Sequence, residues 1–340
     1  MVGRGSLPWL ATTGRVAIPG PALTVIECLV VAGAYYGLAQ LGPMQHLGPG
    51  PVRLLWPPTG IAVAAVLLAG PRILPGVGVG SFLVNMFALH RPPPQSVVLC
   101  AGTVAAVSLT FLLLRRMGFH RELDRLRDAL SLVFATLAAM VLNTSVSMSV
   151  LVLAGLQSDN AFWLRWLLLW MSNVMGVLLL APVLLLLYRV RRPRRVRPLR
   201  VLEIAVILTG TFLVTLLATR SSTQFLFLVF PFLIWAALRF QLPGAAPCAL
   251  IASIVVTYGA SNAGGPFAGH GFVSNLITIE TFNGSMALTA LVLAAIIAEL
   301  TRAYGRVEDA ANEIAAAVNR LDERLRPEDA PSHGQRRRST

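Results

Sequence analysis

The chain has 340 residues, 56% of them hydrophobic and only 13% charged, with a mean hydropathy of +0.70 and a formal net charge of +13. Soluble domains carry about 25% charge, so this chain has too little to cover a water-facing surface, and a soluble globular fold is excluded in favour of an integral membrane protein. All 28 basic residues are arginines that flank apolar runs, so the high pI speaks for membrane topology and against a nucleic-acid partner.

In chain order, residues 1–21 lack the dense apolar core of a cleavable signal and read as a cytoplasmic N-terminal segment. Apolar runs then predict spans at 22–41, 58–70, 73–89, 96–114, 129–155, 162–188, 201–219, 222–239, 245–261 and 275–298. A full crossing takes about 20 apolar residues. The short runs 58–70 and 73–89 therefore read either as two crossings or as a tilted hairpin. The predicted fold class is all-α, a polytopic helical membrane bundle of about 8–10 transmembrane helices. With the N-terminus in the cytoplasm, every arginine except Arg53, Arg91, Arg165 and Arg220 falls on the cytoplasmic side, which predicts an N-in, C-in topology. Cys28, Cys100 and Cys248 all lie inside apolar runs and read as small packing residues, with no disulfide or metal set.

The run "LLWPPTGIAVAAVLLAG" (54–70) places Trp56, Pro57, Pro58, Thr59 and Gly60 at the outer mouth of the second span. Proline is tolerated in a first helical turn, and tryptophan favours the membrane boundary, so one reading is an anchored helix start. Paired prolines also stiffen the preceding loop, and Gly60 permits close backbone approach. With Arg53 they read alternatively as a ligand mouth. "GVGVG" (76–80) resembles a nucleotide loop only superficially; inside an apolar span it predicts close helix packing at Gly76 and Gly80.

Asn143 and Ser147 share one face of the fifth span, and Asn173 lies at similar depth in the sixth. These polar residues predict either an interhelical hydrogen bond or a cavity lining. Glu27 and Glu203 lie near arginines and read as anchors. Glu280 follows the glycine-rich "NAGGPFAGHGF" (262–272) and lies inside the last span, where an ionisable group is a functional candidate. It reads either as part of a ligand site or as a salt-bridge partner of Arg53. The outer mouth would comprise Arg53, Trp56, Pro57, Pro58, Thr59, Gly60, Asn85, Gly264, Gly265, Pro266, Phe267, His270 and Glu280.

Beyond the last span, Leu300, Tyr304, Val307, Ala311, Ile314, Val318, Leu321 and Leu325 alternate at spacings of four and three. This is a heptad seam. It predicts a cytoplasmic helix over 300–326 that pairs with a second copy, or else an amphipathic helix lying on its own cytoplasmic loops. Residues 327–340 read as a disordered basic tail.

Three stretches carry a family resemblance: "WPPTGIAVAAVLLAGPRILPGVGVGSFLVN" (56–85), "LLLWMSNVMGVLLLAPVLLL" (167–186) and "FPFLIWAALRFQLPGAAPCALIASIVVTYGASNAGGPF" (230–267). Together they resemble the membrane-associated sensor domains of the first MASE type. The resemblance implies a bacterial inner-membrane sensory module over 22–299, usually followed by a cyclase, phosphodiesterase or kinase. Family members often carry Gly-Asp where this chain has Ser172-Asn173, so a charge-linked role is not expected there. The roughly 41 residues after Glu299 are too few for an output domain, so the expected partner is a cytoplasmic protein acting in trans. No catalytic constellation, metal-ligand cluster or cofactor motif is evident, and an enzyme is not expected. The alternative function is transport or capture of a small solute at the same mouth.

Overall fold

The computed structural model describes residues 20–40, 54–155, 162–189, 198–221, 225–261, 265–267 and 271–325. The predicted N-terminal segment up to residue 19, Arg53, Gly264, His270 and the tail from 326 onward lie outside the described residues. Ten α-helices occur among those described: α1 (Pro21–Ala39), α2 (Pro57–Ala69), α3 (Leu74–Leu83), α4 (Pro93–Arg116), α5 (Leu126–Leu153), α6 (Phe162–Arg189), α7 (Pro198–Arg220), α8 (Val229–Phe240), α9 (Leu242–Ser261) and α10 (Phe272–Leu325). Seven are long and apolar enough to cross a membrane.

The run expected as a full span over 222–239 is helical only from Val229 to Phe240, after a 3-10 turn at Leu226–Leu228. Its apolar length conceals Pro231 in the first turn, a position where proline starts a helix more readily than it continues one. Residues 57–88 form two short helices in succession, each packed against α1. Gly70, at φ 88°, turns α2 into the 3-10 segment Pro71–Ile73 that leads into α3. A π-helical turn, Val84–Ala88, then ends α3.

Small residues set which helices touch. A Cβ added to Gly76 would lie 2.6 Å from the backbone of Cys28, and one added to Gly80 would lie 2.9 Å from the Tyr35 Cβ and 3.1 Å from the Ala32 Cα. The four-residue spacing thus seats α3 along α1 with the backbones nearly touching, as small-residue motifs do in lipid. The second such contact joins Gly60 of α2 to Gly176 of α6. The most apolar 18-residue windows of α5, α6 and α9 are 56–61% buried, whereas those of α1 and α7 are 17% and 22% buried. α6 therefore runs through the middle of the bundle, while α1 and α7 face lipid with Leu29, Val30, Leu202 and Leu217.

One end of the bundle collects the described ion pairs: Glu27 with Arg72, Glu122 with Arg189, Asp124 with Arg302, and Glu203 with Arg239. Exposed pairs of this kind each contribute at most about 1 kcal/mol; their main effect is to fix which loops share an end. At the opposite end lies the start of α6, with Trp163, Trp166 and Trp170 in successive ring contacts, while α2 begins deeper, beside Ser172 of α6.

Candidate functional site

The site begins where α2 starts. Pro57 and Pro58 occupy its first two positions, where missing amide hydrogens cost nothing. The Trp56 amide donates to the Ser172 carbonyl at 3.1 Å. The Thr59 hydroxyl lies 2.9 Å from the Trp56 carbonyl and 3.1 Å from that of Asn173. A Cβ on Gly60 would stand 2.1 Å from the Gly176 carbonyl oxygen, and one on Gly176 would stand 2.0 Å from that of Trp56. Pro57 to Gly60 are buried. The "WPPTG" corner is thus keyed into the backbone of α6 at "SNVMG", and only Trp56 remains partly exposed.

From that corner a ladder of polar side chains crosses the first six helices. Asn173 on α6 donates through Nδ2 to the Leu169 carbonyl at 2.7 Å, and its Oδ1 accepts from Asn143 Nδ2 on α5 at 3.2 Å. Asn143 Oδ1 lies 3.3 Å from the Thr103 hydroxyl on α4. The Ser81 hydroxyl on α3 donates to Thr103 Oγ1 at 3.2 Å. The Tyr35 phenol on α1 is in hydrogen-bonding reach of Ser81, Thr103 and Trp56, which returns the ladder to the start of α2. All but Trp56 are buried. Both asparagines use oxygen and nitrogen together. An aspartate at 173 would accept from Asn143 but would have no amide hydrogen for Leu169, so the Ser-Asn pair suits this network chemically.

Asn85 sits half-buried in the π-helical turn next to this ladder. Its Nδ2 donates to the Ser81 carbonyl at 2.8 Å, and its own carbonyl accepts from the Arg91 amide at 3.0 Å. Burial lowers the Arg91 guanidinium from its ordinary pKa. Ser147 is half-buried one turn beyond Asn143.

The remaining candidates lie on another side of α6. Pro266 and Phe267 are buried in a short 3-10 turn that begins at Gly265, and the Phe267 carbonyl accepts from Asn275 Nδ2 at 2.9 Å. Glu280 is only 5% exposed, on α10. Three residues on, Asn283 accepts from the Ser253 hydroxyl of α9 at 2.8 Å. α10 meets α6 where Gly284 faces Met175, a different face from the one that holds Trp56 and Gly60. The structure therefore joins Trp56, Thr59, Gly60, Asn173, Asn143 and Asn85 through one network and places Glu280 in the α9–α10 seam. Tyr35, Ser81 and Thr103 are ladder members that the sequence reading passed over. Their signal was faint: single hydroxyls in apolar spans usually bond to their own helix.

At the ion-paired end, the loop between α4 and α5 holds α10. Arg302 pairs with Asp124 at 3.4 Å and also donates to the Asp124 carbonyl, while the Leu126 amide donates to Glu299 at 3.4 Å. Two surface clefts, of about 450 and 210 Å³, flank this collar beside Glu299 and Ala298. They lie at the end away from Trp56. From Tyr304 to Leu321 the seam side chains Tyr304, Val307, Ala311, Ile314, Val318 and Leu321 are all exposed. The helix therefore projects from the bundle and does not lie on its own loops, which corrects that alternative.

An all-helical bundle with seven membrane-length helices, interlocked by backbone contacts and buried amides, defines a multi-pass membrane protein. The chain matches the MASE1 family over residues 27–301, most of its length, and belongs to it. MASE1 is a family of membrane-associated sensory domains and not of enzymes. The match ends where α10 leaves its collar. No curated protein and no solved structure matches the chain.

Proposed function

We propose that this membrane sensory module detects a small ligand or a membrane partner at the Trp56 corner, and reports it through α10 to a cytoplasmic partner in trans. In this reading the arginine-rich end faces the bacterial cytoplasm, as the distribution of arginine favours. The observation that carries it is the continuity of α10. One helix of 54 residues contains Glu280, passes the Asp124–Arg302 collar and presents the exposed seam. A displacement at one end of a continuous helix is felt at the other, and a ligand biases two states only through its differential affinity for them. The seam fits a parallel homodimer, since its exposed apolar positions keep the heptad interval.

The experiment pairs two measurements on the full chain in nanodiscs. The first is a thermal-shift screen against a metabolite library, comparing wild type with Trp56→Ala. Ligand stabilisation lost in Trp56→Ala supports the outer site; identical stabilisation in both proteins rejects it. The second is mass photometry of Ile314→Asp/Leu321→Asp. The wild type should be dimeric and the double variant monomeric, with unchanged thermal stability. A dimer that survives both charges rejects the seam as the contact.

A further inference from the structure

Glu280 is the buried acid that the ladder does not use. Its relative exposure is 5%, and neither carboxylate oxygen has a hydrogen-bond partner among the described residues. Asn283, on the same face of α10 and fully buried, is satisfied on one side only: Oδ1 accepts from Ser253 at 2.8 Å, and Nδ2 has no partner among the described residues. Ser253 with Asn283 and Gln241 with Thr301 are the cross-links of an antiparallel pair. One turn along α9 from Ser253, the buried Thr257 therefore stands at the level of Glu280. Carboxylate, amide and hydroxyl groups thus lie within about one helical turn of one another along the α9–α10 pair.

An uncompensated carboxylate in this setting is unfavourable in a membrane interior. Among the described residues, no charged side chain is hydrogen-bonded to Glu280. On the elements packed against α10, the charged side chains lie toward the helix ends: Arg127 and Asp128 on α5, Arg165 and Arg189 on α6, and Arg239 on α8. The other titratable groups on those helices are Tyr188 on α6, and Cys248 and Tyr258 on α9. No hydrogen bond links any of these groups to Glu280. A single carboxylate balances one positive charge, so a monovalent cation leaves no net charge buried in the membrane, whereas a divalent one would.

We propose that Glu280, with Asn283, Ser253 and Thr257, forms an intramembrane site for a monovalent cation, either a proton or a sodium ion, that fastens α9 to α10. This goes beyond the sensory reading and does not depend on it, because it concerns only whether the folded bundle binds a cation there. A cation bound only by the folded state stabilises it, and removing the cation weakens it.

The test uses the full chain in nanodiscs, wild type beside Glu280→Gln, with thermal unfolding followed by tryptophan fluorescence. In the proton arm, sodium is replaced by choline and the pH is raised. In the sodium arm, the pH is fixed and alkaline, and sodium replaces choline. If the cation is a proton, the wild-type midpoint falls relative to Glu280→Gln as pH rises, and sodium has no effect. If it is sodium, the wild-type midpoint rises with sodium, by about 5 °C at a hundredfold excess over the dissociation constant, while Glu280→Gln stays flat. Parallel behaviour of the two proteins in both arms overturns the proposal. Should Glu280→Gln not fold, Asn283→Leu serves instead. It keeps the carboxyl but removes its neighbour, and should move the midpoint of the responding titration at least threefold; an unmoved midpoint overturns the proposal.

Discussion

Asn143 and Asn173, in the first six helices, and Asn283, in the last four, are buried amides at membrane depth, yet they are used differently. The first two spend both oxygen and nitrogen on neighbours in a ladder that touches α1 through α6. Asn283 spends only its oxygen, beside a carboxyl with no partner among the described residues. The α2–α6 contact brings two glycine backbones together, whereas a Cβ on Gly284 would stand 3.7 Å from the Met175 side chain, an ordinary packing distance; close glycine contacts recur among the last four helices, at Gly244 against Ala236 and Gly259 against Thr219. Helices tied by satisfied amides and glycine contacts resist relative movement. A seam that keeps unpaired polar groups is better suited to change.

The largest expected effect that would break this comparison is at the α2–α6 key. Gly60→Leu pushes a side chain into the Gly176 carbonyl and should cost about 3 kcal/mol or more, read as loss of folded protein on size-exclusion chromatography. Gly284→Ala should leave yield and unfolding midpoint near wild type; equal damage at both positions would mean that the two regions are packed alike.

Next is the ladder. Asn143→Leu strips Asn173 and Thr103 of a shared partner and should destabilise by about 1–2 kcal/mol in a reversible unfolding assay. A double-mutant cycle of Asn143→Ala with Asn173→Ala should return a coupling of about 0.6 kcal/mol, with a ceiling near 1.7. Asn283→Leu loses one bond where Asn143→Leu loses two, so it should be the milder change; the reverse order would refute the contrast. The smallest effect belongs to the ion-paired rim. Arg239→Ala removes a pair with Glu203 that is itself half exposed, and its cost should stay below about 1 kcal/mol.

Much of the fold was legible because lipid imposes length and apolarity on each crossing. The spans from α4 to α7, and α9, emerged within a few residues of their predicted ends. The stretch at 222–239 did not, since an apolar run says nothing of where a proline-started helix begins inside it. Gly76 and Gly80 pointed to close packing, but nothing in their spacing named α1 as the neighbour. Likewise, the register of Trp56 on Ser172 joins residues more than a hundred positions apart, and one sequence carries no such pairing information. Asn143 and Asn173 stood out as amides in apolar spans, and they are bonded. Ser81 and Thr103 did not, because a hydroxyl that joins a network looks like one that bonds to its own helix turn. Glu280 was conspicuous from its charge alone, whereas its setting between α9 and α10 required the coordinates.

The length of α10 has a mechanical consequence. Beyond the collar at Arg302 the helix continues to Leu325 without a proline, an arm of about 35 Å at 1.5 Å per residue. The collar is then a fulcrum, and a tilt of about 5° there sweeps the far tip sideways by about 3 Å. That is comparable to the width of a side chain, so a rearrangement too small to open a cavity among the buried amides would still be enough to change which residues meet at the tip.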